Sequence, residues 1–448
     1  MPAVRRLLRW PGNIVHFAHL FLVVLLSAIV YGVARLGTLF VFPRERRARV
    51  VGRLRGWMLR QVMTALGATF IKMGQVMSTR PDLFAPEVIT QLKLLQDRLP
   101  PFRFAKVKKT IEAELGKPLG ELYAEFDEQP VAAASVAQVH RARLPSGREV
   151  AVKVLRPDVR RQVERDAAIL LFGARLAALH PRVRLSDPVG HLRHFVEAIH
   201  DQTDLRIEAN NNRMFHDKFA GWDRVTFPEL IPELSSERVL TMEFVRGTKV
   251  DALGPGRHGK VAETVRLTMF KMCFDDGFVH ADLHPGNMLV REGDQVVVLD
   301  LGLCKVLHED VLIQFIDMTK CLAMGTPDDL VNHLKRFHVY LGEVDWPTLR
   351  KEVEAFATRF RKQDIGELDY GNLINDMYAI GRRYHVRPVT DMTLVLVALV
   401  TAQGIGKMLE PDVNVFGEVA KYLVPVLMRR NEAIPKTEAA ARAAQARS

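Results

Sequence analysis

The spacing of apolar residues divides the chain into stretches with different periods. Residues 20–34 carry no charge, and residues 50–115 place apolar side chains three or four positions apart, which predicts a series of helices broken near the prolines at 81 and 100–101. Residues 122–155 change to short β-branched runs separated by turns, which predicts an antiparallel sheet. Long helical patterns follow at 158–179, at 190–218 and, after a predicted strand at 238–245, from 254 to about 430.

Residues 275–303 combine a predicted hairpin with polar side chains at both ends. The segment GFVH at 277–280 is expected to end a helix and lead into a loop, and MLV and QVVVL then form two strands around the turn Glu292-Gly293-Asp294. His280, Asp282, Asn287 and Asp300 have the spacing of H-x-D-x-x-x-x-N followed by D-F-G. In that arrangement Asp282 faces the acceptor hydroxyl, and Asn287 and Asp300 hold Mg²⁺ on the phosphates of ATP. Each residue alone is also a common turn residue, but their order favours kinase-like chemistry.

Other predicted site residues lie upstream of this hairpin. Lys153 stands in V-A-V-K, the strand context in which a lysine pairs with α- and β-phosphates. Glu208 is the predicted carboxylate partner of Lys153, although a solvated helix face is the alternative, and Asp204 is expected one turn earlier on the same face, near phosphates or metal. The predicted strand at 238–245 is followed by Arg246-Gly247, the expected hinge between the lobes. Backbone groups there are expected to bind adenine, and Glu243 is a predicted nucleotide-binding residue.

The loop that should cover the phosphates lacks the usual glycines. Alanine does not adopt positive φ cheaply, so a loop of this composition is expected to be stiffer and to hold nucleotide differently. The residues in place of G-x-G-x-x-G are Ala132, Ala133, Ala134 and Ser135.

Composition and charge exclude several classes of protein. The 448 residues predict roughly two or three domains, and the three cysteines form neither a C-x-x-C pair nor a disulfide framework. Of the net charge of +11, +10 comes from residues 1–60, which contain eleven arginines and one glutamate. This charge adjoins an apolar run, so it predicts an anionic membrane surface as partner rather than nucleic acid.

Residues 17–42 form that apolar run, with Arg35 as its only charge. About 20 residues span a bilayer, so we expect a transmembrane helix at the cell membrane, and the arginines that follow it place the catalytic portion in the cytoplasm. An interfacial helix and a buried helix of a soluble protein are the alternatives. A clear small-residue cleavage site of a signal peptide is missing.

Several motifs together resemble the UbiB family of atypical kinase-like proteins, which includes proteins required for ubiquinone biosynthesis. They are Lys72-Met73-Gly74-Gln75, PVAAASVAQVHRA at 130–142, VAVKVLRP, HADLHPGN and GIGKMLEPDVN. The resemblance covers about residues 50–416. It implies that Lys72, Gly74 and Gln75 belong to an extension that packs over the active site and blocks protein substrates. ATP and Mg²⁺ are the implied cofactors, with slow ATP hydrolysis as the activity.

The resemblance also implies membrane lipids, a prenyl-lipid intermediate and quinone-biosynthesis proteins as partners. One departure is that the family's Glu-x-Asp phrase reads Gln202-Thr203-Asp204 here, which puts a contact of Lys72 with a carboxylate in doubt. Asp204 can still serve at the metal. The chain also has its only Ala-Pro-Glu at 85–87, before Lys153, so it cannot anchor an activation segment for peptides.

We therefore predict an α+β, bilobal protein kinase-like fold with a helical N-terminal extension and an N-terminal transmembrane helix. The expected function is a membrane-attached ATPase in isoprenoid-lipid metabolism, with a small-molecule kinase and a nucleotide-switched scaffold as alternatives. The expected segments are a membrane segment at 1–43, an extension at 44–120, an N-lobe at 121–250, a C-lobe at 251–430 and a tail at 431–448.

Overall fold

The computed structural model describes residues 11–78, 84–95, 100–180, 188–253, 258–340, 343–362, 370–388 and 390–410, together with 418, 421–422 and 425–426. The chain divides into two compact units. The first comprises Met1–Ala220, Thr226–Arg246 and Val297–Leu303, and the second comprises Gly221–Val225, Gly247–Val296 and Cys304–Ser448. The predicted tail at 431–448 lies outside the described residues.

The helices of the first unit follow the predicted periodicity, with one correction. Residues 190–218 form two helices rather than one, because Asp204 has extended backbone angles and caps the second helix through its side chain. The helices are α1 (Pro11–Val41), α2 (Arg44–Leu66), α3 (Ala68–Ser78), α4 (Pro86–Leu92), α5 (Phe104–Leu115), α6 (Leu119–Leu122), α7 (Val159–Ala177), α8 (Pro188–Asp201) and α9 (Leu205–Lys218).

An antiparallel sheet forms the other part of the first unit, as the alternation in the sequence predicts. The strands in this part of the chain are β1 (Glu125–Phe126), β2 (Ala132–Ala133), β3 (Ala137–Arg143), β4 (Glu149–Leu155), β5 (Val225–Thr226) and β6 (Val239–Glu243). The sheet has the order β1-β3-β4-β6, and β2 pairs with β3. Val150, Val152 and Val154 of β4 are fully buried against α5 and α6, so alternate residues of β4 point to the opposite face.

The second unit is mostly helical, as predicted. Its helices are α10 (Gly259–Phe270), α11 (Glu309–Met324), α12 (Pro327–Phe337), α13 (Trp346–Lys362), α14 (Tyr370–Arg383) and α15 (Thr390–Leu409). The remaining strands are β7 (Thr248–Lys249), β8 (Phe278–His280), β9 (Met288–Val290), β10 (Val296–Val298), β11 (Cys304–Val306), β12 (His338–Tyr340) and β13 (Val386–Pro388).

The region around the predicted hairpin agrees with the sequence except at its start. The turn between β9 and β10 contains Gly293 at φ +78°, and the Arg291 N–H closes it by donating to the Gln295 carbonyl oxygen at 2.9 Å. Residues 278–280 are not a helix end leading into a loop, as we expected, but the strand β8. They form a strand because Cys304–Val306 offers an antiparallel partner from a distant part of the chain.

Helix α1 is the one helix of the described residues that is long and apolar enough to cross a membrane, by length and composition. The candidate span is Leu22–Val41, with a mean hydropathy of 2.0 and 6% of the window buried. Arg47 of α2 fixes the junction that follows, because its guanidinium donates to the Leu39 and Phe42 carbonyl oxygens at 3.1 and 3.3 Å. The apolar helix is thus joined directly to the basic helix α2.

Helix α3 carries the K-x-G-Q motif and packs tightly against its neighbours at Gly74. A Cβ atom at this position would lie 2.2 Å from Leu95 Cδ1 and 2.5 Å from Met63 Sδ of α2. Both distances are too short for any real contact. Any larger residue at position 74 would therefore force the Leu95 or Met63 side chain to move.

Substitution of Gly74 by alanine should destabilise the first unit. We expect Gly74→Ala to lower the free energy of unfolding by about 1–3 kcal/mol, because the added methyl group overpacks the helix interface. Urea denaturation of the full chain in detergent measures this. Gly173→Ala is the matched control: this helical glycine of α7 has no heavy atom within 4 Å of a Cβ, so alanine should stabilise by about 0.5–1 kcal/mol. Equal effects of the two changes would contradict the packing argument.

Candidate active site

Lys153 is the centre of a buried charge cluster in the first unit. Its Nζ atom donates to both carboxylate oxygens of Glu208 at 2.8 Å each and to Asp300 Oδ1 at 3.2 Å. The side chains of Lys153 and Glu208 are 12% and 8% exposed, whereas that of Asp300 is 46% exposed. The contact with Glu208 is the one predicted from the sequence, and the catalytic roles of these residues stay predictions.

Backbone structure brings the three residues of this cluster together from distant positions. Lys153 is on β4, which lies between β3 and β6, so both edges of its strand are hydrogen-bonded. Glu208 lies in the first turn of α9, whose cap at Asp204 fixes where the helix starts. Asp300 lies two residues after the end of β10. The ammonium group is therefore fixed by a strand, a helix start and a strand end.

The charges in this cluster support one another electrostatically. Burial favours the neutral amine of Lys153, but the charges of Asp300 and Glu208 and the hydrogen bonds to both outweigh this and raise the pKa of the ammonium group above its usual value. Burial raises the pKa of the Glu208 carboxyl, against the opposing charge of Lys153. Lys153 therefore carries a positive charge near neutral pH, as binding of phosphate oxygens requires.

The turn Asp300-Leu301-Gly302 is anchored by an asparagine that the sequence analysis missed. Asn211 Nδ2 donates to the Leu301 carbonyl oxygen at 2.8 Å, and the Gly302 N–H donates to Asp300 Oδ1 at 3.2 Å. Asn211 is buried in α9 within the run Asn210-Asn211-Asn212. Because asparagine is unfavourable inside helices, such a run is a signal for side-chain hydrogen bonds to other elements.

The Ala-rich loop is more regular than we expected. Ala132 and Ala133 form β2 and pair with Val139 and Gln138, so only part of the predicted loop is irregular. The Ala134 N–H then donates to the Ala137 carbonyl oxygen at 2.8 Å, and none of the residues 132–135 has a positive φ angle. The strand forms because alanine, unlike glycine, favours extended backbone over left-handed conformations. Ser135 is fully buried, so alanine methyl groups and backbone form the exposed part of this loop.

The K-x-G-Q residues lie on α3 in the same unit as this charge cluster. Lys72 is 7% exposed. Because position 202 is a glutamine, the sequence put a contact of Lys72 with a carboxylate there in doubt. The charge of Lys72 instead acts on Glu208, where burial raises the pKa of the carboxyl and Lys72 opposes this effect. Gln75 is half-buried, and its Nε2 atom donates to the Leu95 carbonyl oxygen at 3.3 Å. Gly74 allows the close packing described above.

Two predicted residues have contacts that differ from the expectation. Asp204 does not share a helical face with Glu208, because it is the cap of α9 and accepts from the Arg206 backbone and guanidinium at 2.6–3.2 Å. The Glu243 N–H donates to the Glu229 carbonyl oxygen at 2.8 Å. An adenine-binding role of Glu243 therefore cannot use this N–H.

The H-x-D-x-x-x-x-N loop belongs to the second unit, where local hydrogen bonds make it rigid. His280 is 3% exposed, and its Nδ1 atom accepts from the Asp282 N–H at 3.1 Å. His284 accepts from the Gly286 N–H at 3.1 Å, and its carbonyl oxygen accepts from the Asn287 N–H at 2.9 Å. Asp282 and Asn287 are thus fixed at the two ends of one structured loop, and half-buried.

Comparisons with known proteins agree with the kinase-like character of the chain. Residues 94–333 match the ABC1 atypical kinase-like domain, and residues 353–414 match the UbiB helical domain. A probable protein kinase UbiB of Aliivibrio fischeri is 34% identical over 384 residues, which cover 82% of this chain and 70% of that protein. Its namesake in Vibrio cholerae is 32% identical over 384 residues, with 82% and 69% coverage. The predicted kinase-like α+β fold is therefore confirmed.

Among solved structures, this chain is similar to the complex of Rv3197 with erythromycin from Mycobacterium tuberculosis. The TM-score is 0.44 and the sequence identity 22%, and the match covers 75% of this chain and 86% of that chain.

Removal of the Asn211 anchor should loosen the Asp300 turn. We expect Asn211→Leu to cost about 1–3 kcal/mol of stability, because the buried Leu301 carbonyl oxygen loses its donor, and to weaken ATP binding through misplacement of Asp300. Asn210→Leu is the control, since Asn210 is exposed on the same helix. Urea denaturation and nucleotide titration of both variants measure this, and indistinguishable variants would show that the anchor is unimportant.

Proposed function

This chain belongs to the UbiB family of atypical kinase-like proteins, and we propose that it is a membrane-attached, Mg²⁺-dependent ATPase that supports ubiquinone or other isoprenoid-lipid biosynthesis. The observation that carries the proposal is the cluster in which Lys153 contacts both Glu208 and Asp300. A buried lysine that is held charged can donate hydrogen bonds to phosphate oxygens, and the half-exposed aspartate beside it offers oxygen ligands for a metal ion.

The residues suit Mg²⁺ and ATP by their chemistry. Lys153 would bind phosphate oxygens, while Glu208 keeps the ammonium group charged and in place. By their places in the D-L-G and H-x-D-x-x-x-x-N motifs, Asp300 would supply carboxylate oxygens and Asn287 an amide oxygen, the ligand type that Mg²⁺ prefers. Bound Mg²⁺ would neutralise negative charge on the phosphates. Asp282, whose backbone is fixed by His280, would orient a water molecule or an acceptor hydroxyl.

ATP hydrolysis is favoured over phosphorylation of proteins by the segment that follows Asp300. The strand β11 starts at Cys304 and the helix α11 at Glu309, so few residues are left for a peptide-binding activation segment. The relatives are named probable protein kinases, a name that describes those proteins and is not applied to this chain. For this chain we propose hydrolysis, or transfer to a small lipid-linked acceptor.

Membrane attachment is supported by two adjoining features of the N-terminal region. The apolar residues of α1 are largely exposed, for example Val30 at 54% and Phe40 at 89%. The exposed face of α2 carries Arg46, Arg49 and Arg53 and, at the next turn, Trp57. Arginine and tryptophan are typical of the interface between a bilayer and water. We propose that α1 spans the cell membrane and that the catalytic part of the chain, which follows it, lies in the cytoplasm.

The lipid substrate class follows from this attachment and from the family. A protein tied to the bilayer through α1 works next to molecules that dissolve in it, and prenyl-lipid intermediates are such molecules. Quinone-biosynthesis proteins are the proposed protein partners.

ATP turnover tests the catalytic part of the proposal. Wild type with Mg²⁺ should hydrolyse ATP faster on anionic vesicles, and Asp300→Asn should lower turnover at least about 100-fold, because one stabilising group of the transition state is lost. Asp294→Asn in the exposed turn of the preceding hairpin is the control, since asparagine tolerates its φ of 62°. If wild type binds nucleotide yet turns over no faster than Asp300→Asn with or without vesicles, the protein is a nucleotide-binding scaffold.

Membrane extraction tests the attachment. The full chain should stay in the membrane pellet after alkaline carbonate, and Val30→Arg should release much of it, because a charge near the middle of a span costs roughly 2.5–3.5 kcal/mol. Thr64→Arg, on the exposed side of α2, is the control and should behave like wild type. Complete release of wild type by carbonate would instead identify α1 as an interfacial helix.

A further inference from the structure

Arg156 joins the Ala-rich loop to the segment 100–102, which precedes α5. Its Nε atom donates to the Ala134 carbonyl oxygen at 2.9 Å, and its Nη2 atom donates to the Pro100 carbonyl oxygen at 3.1 Å. Its Cζ atom also lies over the Phe102 ring, 5.6 Å from the ring centre. Because a guanidinium group is planar and has donors that point in different directions, one side chain can hold two carbonyl groups and contact an aromatic face.

A buried glutamine attaches the same segment to the strand that follows the loop. Gln138 of β3 is 1% exposed, and its side chain accepts from the Phe102 N–H at 3.0 Å and donates to the Phe102 carbonyl oxygen at 3.4 Å. Its Nε2 atom also donates to His140 Nε2 at 2.8 Å, and His140 Nδ1 donates to the Asp127 carbonyl oxygen at 2.8 Å. Burial lowers the pKa of His140, so its ring stays neutral and can accept from Gln138. The segment 100–102 is therefore held at the loop by Arg156 and at β3 by Gln138.

The loop itself is a tight turn that hydrogen bonds close. The Ala134 N–H donates to the Ala137 carbonyl oxygen at 2.8 Å. The Arg156 N–H donates to the Val136 carbonyl oxygen, also at 2.8 Å. At the tip of the turn Ser135 is fully buried and Val136 is 8% exposed. Arg156 therefore holds this turn through its backbone as well as through its side chain.

We infer that Arg156 is a positioning residue, which fixes the Ala-rich loop in one conformation against the segment 100–102. The inference rests on the proposed function, under which this loop covers the phosphates of ATP. A loop that is fixed before the nucleotide arrives loses little conformational freedom on binding, so Arg156 raises the affinity for nucleotide without contacting it. Arg156 directly follows β4, which carries Lys153, so the same strand places both the phosphate-binding lysine and the loop.

Hydrogen–deuterium exchange of the full chain in detergent tests the inference without nucleotide. The amides of residues 132–137 should exchange slowly in wild type, because the turn is closed by hydrogen bonds. Arg156→Met should speed their exchange roughly tenfold, as the loss of a hydrogen bond to a charged group predicts, while the amides of α9 should exchange as in wild type. Unchanged exchange at 132–137 would overturn the inference, and so would an equal increase in α9, which would make Arg156 a general stabilising residue.

Phe102→Leu tests the same connection independently. It removes the aromatic face that Arg156 contacts, so it should also speed exchange at residues 132–137. Because both changes break one connection, the double variant with Arg156→Met should exchange more slowly than the sum of the two effects predicts. Fully additive effects would contradict a shared connection.

Arg148→Met is the matched control. Arg148 lies at the other end of the β3–β4 hairpin and pairs with Glu229 at 2.7 Å, so this variant loses an arginine and an ion pair beside the same sheet. Exchange at residues 132–137 should remain as in wild type. An increase as large as that of Arg156→Met would assign the effect to loosening of the whole sheet and would count against Arg156.

Nucleotide binding gives a second readout, which separates the inference from the proposed function. We expect Arg156→Met to raise the Kd of ATP several-fold, because the loop must then be ordered on binding. The kcat should stay within about twofold of wild type, since Lys153 and Asp300 are unchanged and only binding common to ground and transition states is lost. An unchanged Kd, or a fall in kcat alone, would overturn the inference. If wild type neither binds nor hydrolyses ATP, the proposed function fails, while the exchange experiment still decides whether Arg156 fixes the loop.

Discussion

The ion pair between Lys153 and Glu208 sets the main constraint on the first unit. Both side chains are largely buried, and the ammonium group donates to both carboxylate oxygens at 2.8 Å. A buried ion pair gains little stability over apolar residues of the same size, but loss of one partner is strongly destabilising. To keep the pair intact, strand β4 and helix α9 must hold their relative position. Several neighbouring contacts fix these two elements. Asp204 caps α9, and β3 and β6 hold β4 on both edges.

Close packing extends the same constraint to the N-terminal helices. Gly74 lets α3 approach Met63 of α2 and Leu95, and residues of α2, α3 and α4 share one apolar core with residues of α7, α8 and α9. Because interiors are densely packed, a displacement of α3 cannot be absorbed locally. The basic helix α2, the K-x-G-Q helix α3 and the helix that carries Glu208 therefore form one mechanical unit. This gives the N-terminal helices α2 and α3 a physical connection to the candidate active site.

Sequence patterns predicted the parts of the site that depend on local order. The strand around Lys153 follows from β-branched alternation, and the order of His280, Asp282, Asn287 and Asp300 reflects a loop and hairpin that are close in the chain. The parts that were missed depend on partners far away. Residues 278–280 become a strand only because Cys304–Val306 pairs with them, and Asn211 finds its acceptor at Leu301, 90 residues later. The break at Gln202–Asp204 was hidden because both flanking stretches have helical spacing and a capping aspartate resembles any surface acid.

The carboxylate of Asp300 contacts Lys153, and the proposed function also requires it to bind a metal ion. Its contact with Lys153 is 3.2 Å long and involves one oxygen, while Glu208 holds the same ammonium group through two bonds of 2.8 Å. Asp300 is also the most exposed of the three side chains, so water competes for its charge and weakens its ion pair. Of the two carboxylates, Asp300 is therefore the one that can turn towards a metal at small cost. Glu208, which is desolvated and doubly bonded, stays with the lysine. The two acids thus differ in burial, and this difference agrees with the proposal that Glu208 holds the lysine while Asp300 binds the metal ion.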